Sequence, residues 1–475
     1  MIDRREFIRT TVAAAGGVAA GCIDGVAESP ARRRAAGALP AIFRSVDSQL
    51  TALLEASEPD VALDGRAARL FAFNGTVPGP RLEARAGDQI TIELRNALSE
   101  PTNLHFHGLH VPPTGAGDNV FLHVGSGESF TYRFTLPRDH AAGLFWIHPH
   151  LHGSVARQVS RGLAVPFVIR GDLDEIPEVA AADERILLIQ DFEVAGDGSI
   201  VEPSMHEWMN GREGSIVTLG GAVRPVLPLR EDGLLRLRLV NASPSRFYRL
   251  RLEDHPLHVI AVDGGALPSV RTEDEILLLP GERLDLLIEG SRTGGAYRLL
   301  DLPYDRGSMG MGGMGMGRMG RSGANTSRVL ATVEYRGRSE RRWEVPRSLI
   351  GAIEPLPSPG ERRTFALGMS MGMSRGMTFT IDGREFDAGR IDAAPRLGTV
   401  EEWEYVNETP MDHPMHLHTN PFQIVGPNGS PERAWKDIVL VKAGSRARIR
   451  VAFRDYAGKT VQHCHILDHE DQGMM

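Results

Sequence analysis

The sequence predicts an all-β protein built as three consecutive sandwich or barrel domains. Its 475 residues are enough for about three domains. Three segments also resemble one another, at residues 73–111, 219–262 and 381–425. Each opens on a glycine-containing turn and runs into an alternating strand that ends at asparagine: Asn96, Asn241 and Asn407. Each then closes on a strand bearing histidine. Stretches such as QITIELRN and LLRLRLVN alternate with period two, as strands with one buried face do. Short strands of this kind between Gly/Pro turns are the pattern of sandwiches and barrels.

The elements follow in chain order. Residues 1–44 form a leader, in which Arg4 and Arg5 precede an Ala/Gly-rich run from Thr11 to Gly21. That run is too short to span a membrane. With the core Arg4-Arg5-Glu6-Phe7-Ile8-Arg9 it has the form of a twin-arginine signal. The expectation is export of a folded protein to the periplasm or cell envelope. Cys22, after Ala19-Ala20-Gly21, is a candidate for lipid attachment. A first domain is expected over 45–172 and a second over 173–340, joined by the polar stretch EIPEVAAADER. A third spans 341–475. It opens on a linker whose Pro346, Pro355, Pro357 and Pro359 bar it from being a central strand.

Net charge is −8, with no long basic run, so nothing calls for a nucleic acid. The chain has two cysteines, Cys22 and Cys464, and hence no disulfide framework. A lone thiol in an oxidising compartment is a hazard unless something occupies it. A metal would.

The tail HCHILDHEDQGMM has the spacing Cys-x4-His-x4-Met at Cys464, His469 and Met474. Thiolate, imidazole and a weak thioether are blue-copper ligands, and such a site needs one more histidine. Because successive strand residues face opposite ways, His463 and His465 point away from Cys464. One strand can therefore serve two metal sites, on the order of ten ångström apart. Three further stretches offer histidines two apart: His105 and His107 in HFHG, His148 and His150 in WIHPH, and His416 and His418 in HPMHLH, which also carries His413. One His-x-His is weak evidence; four with this tail are strong. The other seven histidines are taken as structural.

These motifs resemble those of the multicopper oxidases, over roughly residues 45–475. The resemblance implies three cupredoxin-like Greek-key β-barrel domains and four copper ions. Carried over motif by motif, it places type 1 copper on His413, Cys464, His469 and Met474. Type 2 copper falls to His105 and His416, and the type 3 pair to His107, His148, His150, His418, His463 and His465. The implied reaction takes electrons singly at type 1 copper and reduces dioxygen to water at the trinuclear cluster. Glu470 resembles the family's proton-relay glutamate, and Asp118 the acid near type 2 copper. The middle domain is expected to be a spacer and the protein a monomer.

Nine of the 16 methionines fall in two Gly-rich stretches, which cannot be core. Met309, Met311, Met314, Met316 and Met319 lie in the run 306–323; Met369, Met371, Met373 and Met377 lie in 368–377. Thioether sulfur is selective for Cu(I) and needs no deprotonation. The runs resemble the Met-rich insert of bacterial cuprous oxidases, and Met411 matches a methionine near their type 1 edge. Those enzymes have an acid four residues before the type 1 histidine, where Thr409 stands here. The resemblance implies oxidation of Cu(I) or another reduced metal ion, serving copper detoxification. A laccase-like phenol oxidase and a copper-sequestering envelope protein with little turnover remain as alternatives.

Overall fold

The same parallel pairing recurs in each third of the computed structural model, which describes residues 40–308, 326–372 and 376–475, with backbone alone at 371, 372 and 376. Residues 1–39 of the leader, with Cys22, and Met309, Met311, Met314, Met316, Met319 and Met373, lie outside the described residues, whereas Ile42–Arg44 at the leader's end is a strand parallel to Arg81–Arg85. In the first domain Gln49–Ser57 runs parallel to Gln89–Asn96, the predicted alternating strand. Asp183–Phe192 pairs the same way with Leu234–Asn241, and Glu361–Gly372 with Thr399–Asn407. On its other side each alternating strand meets an antiparallel neighbour: Ser129–Thr135, Arg283–Glu289 or Arg446–Phe453. Each domain sets two principal sheets over an apolar core, such as Leu50, Ile92, Phe106 and Phe167 in the first.

The asparagine ending each repeat does the same work three times. Asn96 Nδ2 donates to the carbonyls of Glu100 and Val124, and its Oδ1 accepts from Leu98 N–H. Asn241 bridges Arg246, Leu278 and Ser243 in this way, and Asn407 bridges Met411, Val441 and Thr409. Backbone groups left over where the strand ends are buried, and one short amide satisfies three of them.

Two expectations change. Gln89–Asn96 alternates as predicted, but Leu234–Asn241 is buried on both faces. Its polar side carries Arg236 and Arg238, which are neutralised by Asp174, Glu184 and Asp285. A charged face can be buried when its partners are buried with it. The stretch EIPEVAAADER, expected as a polar linker, includes the helix Pro177–Ala181, with proline at its first position, and supplies Glu184 to that network. The second linker has no regular structure from Val345 to Gly360.

Candidate metal centre

Sheet register assembles the site. His105–His107 pairs antiparallel with Gly143–His148, setting His148 opposite His105. His413–Leu417 pairs with Gln462–Cys464, setting His416 opposite His463. The first-domain and third-domain histidines then meet. His416 Nε2 lies 3.4 Å from His105 Nε2, and His463 Nε2 lies 3.1 Å from His150 Nε2 and 3.0 Å from His418 Nε2. The rings of His105 and His418 stack at 3.7 Å. All eight, His107, His148 and His465 included, are buried.

Cys464 turns the other way. Its Sγ lies 3.4 Å from His413 Nδ1 and 3.9 Å from His469 Nδ1, and the two nitrogens are 3.4 Å apart. Met474 is fully buried in the same cluster, its N–H bonded to His469 O and its carbonyl to Cys464 N–H. The strand alternation at His463, Cys464 and His465 therefore produces two adjoining sites.

The donor set suits a soft, imidazole-binding ion. Burial holds His413 down to about 3 and pushes His105, His107, His148, His150, His416, His418, His465 and His469 well below the ordinary range. Neutral imidazole is the ligating form. Burial pushes the Cys464 thiol up, so a cation is needed to hold it as thiolate. Buried ring nitrogens His107 Nδ1, His148 Nε2 and both of those of His465 have no hydrogen-bond partner among the described residues. Unpaired groups of this kind are costly unless an ion takes them. Two nitrogens each about 2.0 Å from one ion lie roughly 3 Å apart, as several of these do.

Three segments match the multicopper oxidase family, at residues 55–174, 187–311 and 361–475. A multicopper oxidase of Campylobacter jejuni described as a metallo-oxidase is 30% identical, with a TM-score of 0.79 and 93% of each chain covered. The chain belongs to the multicopper oxidases. A laccase-like multicopper oxidase, CueO, of Ochrobactrum sp. also superposes with a TM-score of 0.79 at 27% identity, over 92% of this chain and 98% of that one. Multicopper oxidase mco of Staphylococcus haemolyticus is 28% identical over 416 residues, 85% of this chain and 82% of that protein. The protein is thus a copper-binding oxidoreductase of a family that uses dioxygen and reduced substrates such as metal ions or phenols.

In this oxidase the predicted acids lie close to the histidines. Asp118 Oδ1 is 2.8 Å from His105 Nδ1 and also accepts the Phe106 N–H, and Oδ2 is 3.4 Å from His418 Nδ1. It fixes the His105 tautomer so that Nε2 faces the cluster. Glu470 is fully buried, 3.1 Å from His463 Nδ1 and 3.4 Å from His150 Nε2, and neither oxygen makes a well-formed hydrogen bond among the described residues.

The methionines divide. Met411 is buried beside His413, and the bridge from Gly307 to Met411 brings the start of the Met-Gly run against it. Met369 is exposed and sits in register with Phe379, the ring that stacks on His469. Met377 packs against the third-domain core. Only the backbone of Met371 is described.

The middle domain is more than a spacer. Met209, on its helix Met205–Asn210, accepts from His469 Nε2 at 3.1 Å through its carbonyl, and Arg283 reaches Asp437 beside His107. Asp437, Arg283, Phe379 and Met209 were not singled out from sequence. None has ligand spacing; the GERLD and WKDIV stretches around the first two carry only the general signal of a charge amid apolar strand residues.

Proposed function

We propose that the protein is a cuprous oxidase, taking electrons from Cu(I) at a type 1 copper and passing them to dioxygen. The observation that carries this is the Gly307–Met411 bridge, which holds Gly307, two residues before Met309, against Met411, two residues before His413. Thioethers there would gather Cu(I) next to the electron entry point. The metallo-oxidase description of the Campylobacter jejuni neighbour supports the same reading. Bound copper supplies one-electron cycling and the multi-electron reduction of dioxygen.

The chain's own residues do the rest. His413, Cys464, His469 and Met474 would hold type 1 copper; His105 and His416 would hold type 2; His107, His148, His150, His418, His463 and His465 would hold the type 3 pair. That is four copper ions in all. The Cys464 backbone joins the two sites. Glu470, with unspent lone pairs beside His463, delivers protons, and Asp118 keeps His105 oriented. The leader directs the monomer to the periplasm or cell envelope, where copper detoxification is its service.

A laccase-like reading is favoured by Thr409, which stands where the cuprous oxidases have an acid. The test is oxygen uptake by the copper-loaded protein with Cu(I), then with a simple phenol, in wild type and in a variant lacking residues 307–320. Preference for Cu(I), selectively weakened by the deletion, supports the proposal. Unchanged Cu(I) turnover, or preference for the phenol, makes it a laccase. No sustained oxygen uptake makes it a sequestering protein.

A further inference from the structure

The second domain sends one buried arginine to the edge of the histidine cluster. Arg283 opens the strand Arg283–Glu289 and is 1% exposed. Its guanidinium grips the Asp437 carboxylate with both arms, Nη1 to Oδ1 at 2.6 Å and Nη2 to Oδ2 at 2.5 Å. The remaining N–H groups go to the carbonyls of Leu144, Gly281 and Asp263. All five donors are thereby spent in one fixed orientation.

Asp437 in turn addresses two candidate ligands. Its Oδ1 lies 3.1 Å from His107 Nε2, which leaves Nδ1 as the ring's unpartnered nitrogen. Its backbone carbonyl accepts from His416 Nδ1 at 2.8 Å, which leaves Nε2 facing His105. The His107 and His416 rings stack at 3.9 Å and 10°, so neither tilts alone. Second-domain Arg283, third-domain Asp437 and first-domain His107 form one chain of contacts.

The surrounding backbone makes room for it. Gly108, at φ +84, follows His107; a Cβ there would fall 2.7 Å from Asp437 Oδ2 and collide with the guanidinium. Gly281, whose carbonyl Arg283 holds, would with a Cβ approach His465 Nε2 to 2.7 Å. Asp263 accepts the Arg283 N–H and is braced by Lys436 at 2.8 Å.

We infer that Arg283 is a positioning residue for the trinuclear ligand set. Acting through Asp437, it fixes which nitrogens of His107 and His416 are offered to metal. The inference rests on the copper reading above. A merely structural pair would hold the domains together and leave the metal signature alone.

The experiment compares Arg283→Lys and Asp437→Asn with wild type by circular dichroism, copper content, the blue absorption of the Cys464 site and electron paramagnetic resonance. Lysine keeps the charge but loses the two-armed grip. The expected result is a folded protein with normal blue absorption, an altered type 2 resonance and 10–100-fold weaker retention of that copper, the usual cost of losing an outer-shell partner. Wild-type resonance and copper content in a folded variant overturn the inference. Failure of both variants to fold also overturns it, since the pair would then serve the domain interface as a whole. A wild-type protein with no type 2 resonance sinks the copper reading itself and the inference with it.

Discussion

Thr409 Oγ1 lies 2.8 Å from His413 Nε2. His413 Nδ1 faces Cys464, so Nε2 carries the proton and donates it, while the hydroxyl donates onward to Asn407 Oδ1 or Met411 O. The threonine takes the place of the cuprous oxidases' acid without its charge. Thr409→Asp is expected to raise Cu(I) turnover relative to phenol turnover by roughly tenfold, measured by oxygen uptake with each donor. Thr409→Val leaves a buried N–H unpaired and should cost about 1–3 kcal/mol in urea unfolding.

Asp118 and Glu470 are both buried carboxyls at the cluster, and they should fail differently. Asp118 spends Oδ1 on both His105 Nδ1 and the Phe106 N–H, and its Oδ2 faces His418 Nδ1 at 3.4 Å. Asp118→Asn is therefore expected to weaken copper retention about 10–100-fold, seen as substoichiometric copper after dialysis. Glu470 has its oxygens free of well-formed hydrogen bonds among the described residues. Glu470→Gln should keep its copper and lose roughly 10²–10⁴-fold in oxygen turnover, the scale of a general acid. Equal copper loss in both variants would contradict this division.

The three repeat asparagines predict a shared stability effect. Asn241→Ala unpairs three backbone groups, those of Arg246, Leu278 and Ser243, none of which is a candidate ligand. A loss on the order of 3–5 kcal/mol is expected, read as a lower urea midpoint with unchanged blue absorption in the protein that remains folded.

Asp301 gives a pH dependence. Burial pushes its carboxyl up to about 6, although its Oδ1 accepts the Arg249 N–H. The unfolded carboxyl titrates near the ordinary value of about 4. Between about pH 4 and pH 6 the folded chain holds a proton that the unfolded chain has lost. Stability from this group therefore falls as pH rises through that window and is level above it. Asp301→Asn should flatten the slope and add on the order of 2 kcal/mol at neutral pH, checked by urea unfolding across pH 4–8.

What the sequence made legible was local. Ligand spacing at His463, Cys464 and His465 follows from strand alternation alone, so two adjoining sites could be read directly from the tail. The asparagines ending the repeats were visible as positions, but their three bonds reach residues such as Val124 and Leu278, which no local pattern marks. Arg236 and Arg238 looked like a solvated face because their carboxylates lie in other segments. Arg283 and Asp437 stand 154 positions apart and carry no periodic signal. The spacer reading of the middle domain failed for that reason: its contribution consists of a guanidinium and a carbonyl, neither of which has a motif.

The separation of the histidine strands also sets a timetable. His105 and His416 meet across 311 positions of chain. Contacts so distant in sequence close late, after much loop entropy has been spent. A chain made from its N-terminus folds its first domain well before His416 or Cys464 exists. For most of synthesis, His105, His107, His148 and His150 form an open half-cradle, and the ion that fits the finished site has only half its ligands to find. Complete capture of metal is thus a report that the last strand has docked.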